Sequence, residues 1–171
     1  MTDHLWTPWR MPYLMRDKSA ENGGCIFCDM AKSKEQDVER ILKRGKHCFV
    51  TLNLYPYNNG HLMVIPNRHT SRLDDLDSQT LTELMTLTQQ AIRALEKAYK
   101  PQGFNIGINQ GEAAGAGIAA HLHQHIVPRW AGDTNFMTII GETRTIPEWI
   151  DDTYQHLSVI WKELERSEKH D

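Results

Sequence analysis

The chain has 171 residues, of which 40% are hydrophobic and 24% charged, and its formal charge is -3. That length suits one domain whose core holds without staples, and the composition excludes disordered, fibrous and collagen-like classes. The slight acidity weighs against long nucleic acid as the main partner while leaving room for a small anion in a local pocket. In chain order, the first 24 residues carry Trp6, Trp9, Arg10 and Tyr13 before the polar stretch RDKSAENGG, and read as an irregular arm that lays its aromatics on a body. No window reaches the roughly 18 apolar residues of a membrane span. The start MTDHLWTPWRMPYL lacks the charged-then-apolar order of a secretory signal, so a cytoplasmic protein with no membrane partner is expected. Cys25 and Cys28 flank Ile26-Phe27, a spacing that in a reducing compartment more often binds metal than forms a disulfide. Cys48 stands alone in an apolar run and reads as a small core residue.

The runs HCFVTLNL (47–54) and HLMVIP (61–66) are separated by YPYNNG, where Pro and Asn-Gly mark a tight turn, so a hairpin is expected. Asp77 and Ser78 are suited to cap a helix over 78–100, with Leu81, Leu84, Met85, Thr88, Ile92, Leu95 and Tyr99 at helical spacing and Pro101 as a stop. Two strands follow, GFNIGINQG and HLHQHIVPRW, joined by the small-residue loop EAAGAGIAA. Thr145, Pro147 and Glu148 form a capping signal for a last helix with Ile150, Tyr154, Leu157, Trp161 and Leu164 on one stripe, and the tail from Arg166 is expected to fray. The whole predicts an α+β domain with a mainly antiparallel sheet, a long helix and a C-terminal helix, the helices on one face.

Three histidines fall within five residues as His121-Leu122-His123-Gln124-His125, and in a strand that alternation sends all three to one face. Imidazole titrates near neutrality and serves as nucleophile, proton carrier or metal ligand. A solvent-facing edge strand is the weaker explanation, because Ile126, Val127 and Pro128 continue as buried sequence. Two chemistries stay open: three histidines on a catalytic metal, or one nucleophile flanked by helpers. The preceding loop holds Asn109, Gly111, Gly115 and Gly117, whose backbone N–H groups can converge on an anion. A phosphate beside the row favours phosphoryl or nucleotidyl chemistry. Cys25 and Cys28 make half a metal site.

The segment HLHQHIVPR resembles the signature of the histidine triad superfamily, and NNGHLMVIPNRH and NIGINQGEAAGAG resemble two further blocks of that family. LWTPWRMPYL and NFMTIIGETRTIPEW are similar to the branch containing bacterial diadenosine polyphosphate phosphorylases and Fhit-like hydrolases. The resemblance implies a single domain over residues 1–171, with 1–24 as an arm and 140–171 as a C-terminal helical extension. It implies that His123 attacks the α-phosphorus of a dinucleoside polyphosphate to form a nucleotidyl-histidine, and that His125 hydrogen-bonds the phosphate or leaving oxygen. Water or inorganic phosphate then accepts the nucleotidyl group. Asn53 would contact ribose and Asn109 the phosphate end. Many relatives carry Gln and a hydroxyl residue where this chain has Gly117 and Ile118, which shifts phosphate binding to backbone N–H groups around Gly115 and Gly117. Phe27, Leu54 and Ile65 could line the base pocket, with core packing the alternative duty of Ile65. Gln124, on the opposite face, reads as a packing or interface residue.

Metal-bearing members, including galactose-1-phosphate uridylyltransferases, complete such a cysteine pair with a histidine after the Ile-Pro strand and the first triad histidine. Carried over, this implies a structural Cys2His2 zinc site of Cys25, Cys28, His69 and His121. His47 is the rival third ligand, and His61 reads as a strand-end residue packed by the hairpin. Alternative functions are a purine nucleoside phosphoramidate or adenylate-conjugate hydrolase, a metal-dependent enzyme using the triad as ligands, or a nucleotide-binding protein. Relatives pair through the long helix and a sheet edge, so at least a homodimer is expected.

Overall fold

The computed structural model describes residues 24–34, 40–133, 140 and 145–168. The expected aromatic arm with Trp6 and Trp9 therefore lies outside the described residues. Five short strands, each rich in β-branched or large apolar residues, form one sheet. They are β1 (Ile41–Arg44), β2 (Cys48–Leu52), β3 (Leu62–Pro66), β4 (Gly103–Ile108) and β5 (Gln124–Arg129), in the order β1-β2-β3-β5-β4 with every neighbouring pair antiparallel. The expected hairpin is β2–β3, and β5 inserts between β3 and β4. β1 has no counterpart in the sequence reading, since ILKR offers one fully buried apolar side chain, Ile41, and too few residues for a period to show.

The described residues also form three α-helices, α1 (Ile26–Lys32), α2 (Ser78–Tyr99) and α3 (Ile150–Ser167), and two 3-10 turns, Leu73–Asp75 and Glu112–Ala114. Asp77 caps α2 by accepting the Thr80 N–H at 2.8 Å, and Lys100 ends it in the left-handed region at φ 47 before Pro101. The face that α2 buries is Thr80, Leu84, Leu87, Thr88, Ala91, Ala94 and Leu95, so two members of the expected stripe turn outward, Leu81 at 37% and Met85 at 53% exposure. The expected cap of α3 is also corrected. Trp149 holds the N-cap position, its side chain makes no capping hydrogen bond to α3, and Glu148 accepts the Thr153 hydroxyl at 2.7 Å. α3 stays helical to Ser167 rather than fraying from Arg166.

Side-chain alternation divides the core between two faces. Cys48, Val50, Leu52, Leu62, Val64 and Ile126 point toward α2 and α3, while Phe49, Met63 and Ile65 point the other way and are covered by Phe27 of α1. The expectation of helices on one face thus holds for α2 and α3 and fails for α1. Gln124 faces α2, where its amide donates to Thr88 Oγ1 at 2.6 Å, the packing role expected of it.

The strand carrying the histidines starts later than its alternation suggests. β5 begins at Gln124, and His121 and His123 lie on the approach to it. The ladder ends because β3 terminates in Pro66, which has no N–H, and whose carbonyl is taken by the His121 imidazole at 2.8 Å. Leu122 N–H bonds the Thr70 carbonyl at 2.6 Å instead of extending the sheet.

Candidate active site

The site lies on the α1 face of the sheet, where β5 meets β3, and its hydrogen bonds assign a tautomer to each central imidazole. A carbonyl only accepts, so His123 carries its proton on Nδ1, which donates to the His121 carbonyl at 2.8 Å. Its Nε2 is left with a free lone pair. His121 spends its Nε2–H on the Pro66 carbonyl, leaving Nδ1 bare.

His61 stands at the strand end with its imidazole packed by the hairpin, as expected, and also makes a contact to the triad that the sequence does not show. A backbone N–H only donates, so Tyr57 N–H at 3.0 Å fixes His61 Nδ1 as an acceptor and puts the proton on Nε2. That Nε2–H donates to His125 Nδ1 at 3.0 Å, which leaves the His125 proton on Nε2. His125 Nε2 is buried with no hydrogen-bond partner among the described residues, an arrangement that costs about 1–3 kcal/mol until an acceptor meets it. The His123 and His125 rings stand edge to face with centroids 4.9 Å apart. Burial, then the neighbouring histidines, lowers His61 to a pKa of about 3, and burial, then His123, lowers His125 to about 4, so both are neutral near pH 7 and the relay of tautomers persists.

Phe27 is buried and touches both the His121 and His123 rings, at 5.5 and 5.2 Å between centroids. Leu54 is exposed and Ile65 is fully buried in the core beneath Phe27. Asn53 sits beside His61, with Nδ2 3.3 Å from His61 Nδ1 and Oδ1 accepting Tyr55 N–H at 2.9 Å. Asn109, Gly111, Gly115 and Gly117 lie together in the loop between β4 and His121, with Gly111 at φ 88 and Gly115 at φ 86, values that favour glycine.

The cysteine pair and two histidines converge as a second cluster. One ligand atom each from Cys25, Cys28, His69 and His121 lies within 4.8 Å of the others. Cys25 Sγ is 3.2 Å and Cys28 Sγ 3.6 Å from His121 Nδ1, and Cys28 Sγ is 3.3 Å from His69 Nδ1. Metal–ligand lengths of about 2.3 Å for sulfur and 2.0–2.1 Å for nitrogen give a tetrahedral S···N edge of about 3.6 Å, so the cluster fits a four-coordinate zinc. The bare Nδ1 of His121 is the atom such a site needs, and burial, ahead of its other influences, lowers the His121 pKa toward the neutral ligand form. Burial, then Cys25, raises the Cys28 thiol, a cost that a cation would offset. His47 lies elsewhere: its backbone N–H bonds the Glu83 carboxylate and its carbonyl accepts Asn67 N–H.

Fold and site together define a small α+β domain that presents one imidazole with a free lone pair beside one with an unspent N–H. A family model described as HIT domain matches residues 33–132. Over 163 residues the chain is 45% identical to a protein of Mycobacterium tuberculosis named AP-4-A phosphorylase, covering 92% of this chain and 83% of that one. It is 37% identical over 94 residues to the bis(5'-nucleosyl)-tetraphosphatase (asymmetrical) of Schizosaccharomyces pombe, covering 55% of this chain and 51% of that one. Among solved structures, a zinc-bound histidine triad family protein from Mycobacterium smegmatis superposes with a TM-score of 0.69 at 26% identity, covering 85% of this chain and 98% of that chain. The chain belongs to the HIT domain family.

Proposed function

We propose that this protein cleaves dinucleoside polyphosphates, with diadenosine tetraphosphate the preferred candidate, through a nucleotidyl group held on His123. The observation that carries the reading is the pair of opposed tautomers, a lone pair on His123 Nε2 beside an unspent N–H on His125. In the first step the His123 lone pair forms a P–N bond to the α-phosphorus as the P–O bond to the remaining polyphosphate breaks. His125 Nε2–H donates to oxygen that gains charge as that bond breaks. In the second step an acceptor oxygen forms the new P–O bond, the P–N bond breaks, and His123 recovers its lone pair. The covalent stage divides one hard displacement into two.

The identity to the phosphorylase, spread over most of both chains, supports inorganic phosphate as the acceptor, with water as the alternative. Asn53 would bind ribose, with Asn109, Gly115 and Gly117 at the phosphates, and Phe27 and Leu54 beside the base. Cys25, Cys28, His69 and His121 would hold zinc in a closed structural site, as their soft donors favour, supplying cohesion between α1 and the segment before β5. The zinc-bound relative supports this reading.

One HIT domain carries the chemistry, with residues 1–24 as an arm and 140–171 as an extension; α3 packed on α2 and β1 supports the latter. A homodimer is supported by β4 as an outer strand of the sheet and by Leu81, Met85 and Ile106, all exposed around α2 and β4. No helix of the described residues is long and apolar enough to cross a membrane, and three free cysteines favour a reducing cytoplasm.

Incubation with diadenosine tetraphosphate, with and without inorganic phosphate, tests the function. ADP plus ATP formed only with phosphate means phosphorolysis, and AMP plus ATP means hydrolysis. No cleavage of any dinucleoside polyphosphate would sink the reading and turn attention to phosphoramidates.

A further inference from the structure

Outside the histidine cluster, a shared polar contact joins the start of α3, the end of α2 and the turn before β3. One oxygen of Glu148, Oε2, accepts three side-chain donors: Tyr99 OH at 2.6 Å, Thr153 Oγ1 at 2.7 Å and Asn59 Nδ2 at 3.2 Å. Burial works to raise the Glu148 carboxyl, yet the bonds from Tyr99, Thr153 and Asn59 outweigh it and hold the group below its usual range, so it remains an ionised acceptor. Asn59 is only 8% exposed and lies two residues before His61.

The turn it belongs to is held from both sides. Asn58 Nδ2 donates to the Pro128 carbonyl at 3.1 Å and to Asp133 Oδ2 at 2.8 Å, fixing the turn to the end of β5. On the other side Glu148 reaches it by two routes, directly through Asn59 and indirectly through Tyr99. The Tyr99 ring walls Gly60, where an added Cβ would come within 3.2 Å of the ring and 3.0 Å of Leu95 Cδ2. Gly60 takes φ +71 to make the bend. The same bend aims Tyr57 N–H at His61 Nδ1 at 3.0 Å, the shorter of two donor contacts, beside Asn53 Nδ2 at 3.3 Å, that keep the His61 proton on Nε2.

We infer that Glu148 is a positioning residue for the reaction: by anchoring the Tyr57–His61 turn through Asn59 and Tyr99, it holds His61 in the tautomer that leaves His125 with its donor facing the substrate. The inference rests on the reading of His125 as that donor. Attachment of α3 is not at stake, because Tyr154, Leu157 and Trp161 are buried against the core and Lys97–Glu163 and Arg93–Glu168 bridge α2 to α3 without Glu148.

The test compares Glu148→Ala, Glu148→Gln, Asn59→Ala and the control Glu163→Gln, using steady-state kinetics on diadenosine tetraphosphate and nitrogen-15 spectra of the histidine rings. Glu148→Ala is expected to lower kcat about tenfold or more with KM within about twofold, the pattern of a lost transition-state interaction. In its spectra His125 gains a form protonated on Nδ1. Asn59→Ala, which leaves Glu148 bonded to Tyr99 and Thr153, is expected to shift the tautomer in the same way. Glu148→Gln, which keeps an acceptor oxygen, recovers most of kcat, and Glu163→Gln changes neither readout. Wild-type tautomers and kcat in folded Glu148→Ala and Asn59→Ala would overturn the inference, as would an equal loss in Glu163→Gln. The spectra stand apart from catalysis: turnover surviving in His123→Ala would defeat the nucleophile reading without altering the tautomer result.

Discussion

At the scale of single residues, protons rather than positions distinguish the histidines. His123 and His125 were legible because their spacing is local, whereas His61 lies 64 residues from its partner and meets it only because β3 pairs with β5 in the register Leu62↔Ile126. No periodicity announces such a contact. The available signal was a histidine opening the apolar run LMVIP directly after an Asn-Gly turn, a place where a buried polar group needs a partner. Substituting His61 with Ala frees His125 to take either tautomer and is expected to lower kcat about 100-fold, at the low end of what a proton donor contributes, with the fold kept by circular dichroism. Equal kcat in that variant would remove His61 from the relay.

At the scale of elements, the cap and stop of α2 are legible in local sequence, whereas the cap of α3 and the features decided by packing are not. α2 ends where its cap and proline put it, and Asp77→Ala is expected to cost about 1 kcal/mol in denaturant unfolding, the worth of one capping bond. The outward turn of Leu81 and Met85 escaped because the sheet, not the helix, chooses which arc of an apolar stripe is covered. α1 is seven residues long and holds through Phe27, the cysteines and the Arg44 guanidinium on the Met30 carbonyl at 2.7 Å, none of which a helical period expresses. The late start of β5 follows from the Pro66 carbonyl serving His121, a contact between side chain and distant backbone. Gly60→Ala combines positive φ with a tight contact at Leu95 and should lose about 1–3 kcal/mol, seen as a lowered melting temperature. An unchanged melting temperature would mean that the turn accommodates a Cβ beside Leu95 and Tyr99.

At the scale of the molecule, the two clusters are mechanically joined, since His121 offers its ring to the cysteines and its carbonyl to His123. Treatment with a chelator is expected to lower both the melting temperature and turnover, and a chelator without effect on either would argue against a metal at Cys25, Cys28, His69 and His121. Acid should weaken the fold through His61 and His125. Their folded pKa values of about 3 and about 4 lie below the ordinary 6.5, so an unfolded chain takes up protons first as pH falls. Stability from this source is intact above 6.5 and declines below it, which denaturant midpoints at about pH 7.5 and about pH 5 would register, with a shallower decline in His61→Asn. The most direct test of the central claim is an alkaline quench of the protein during turnover of diadenosine tetraphosphate, followed by intact and peptide mass measurement. The account predicts one added nucleotidyl group, AMP less water, on the peptide containing His123 and none in His123→Asn. An adduct on another residue, or turnover by His123→Asn near the unaltered rate, would contradict it.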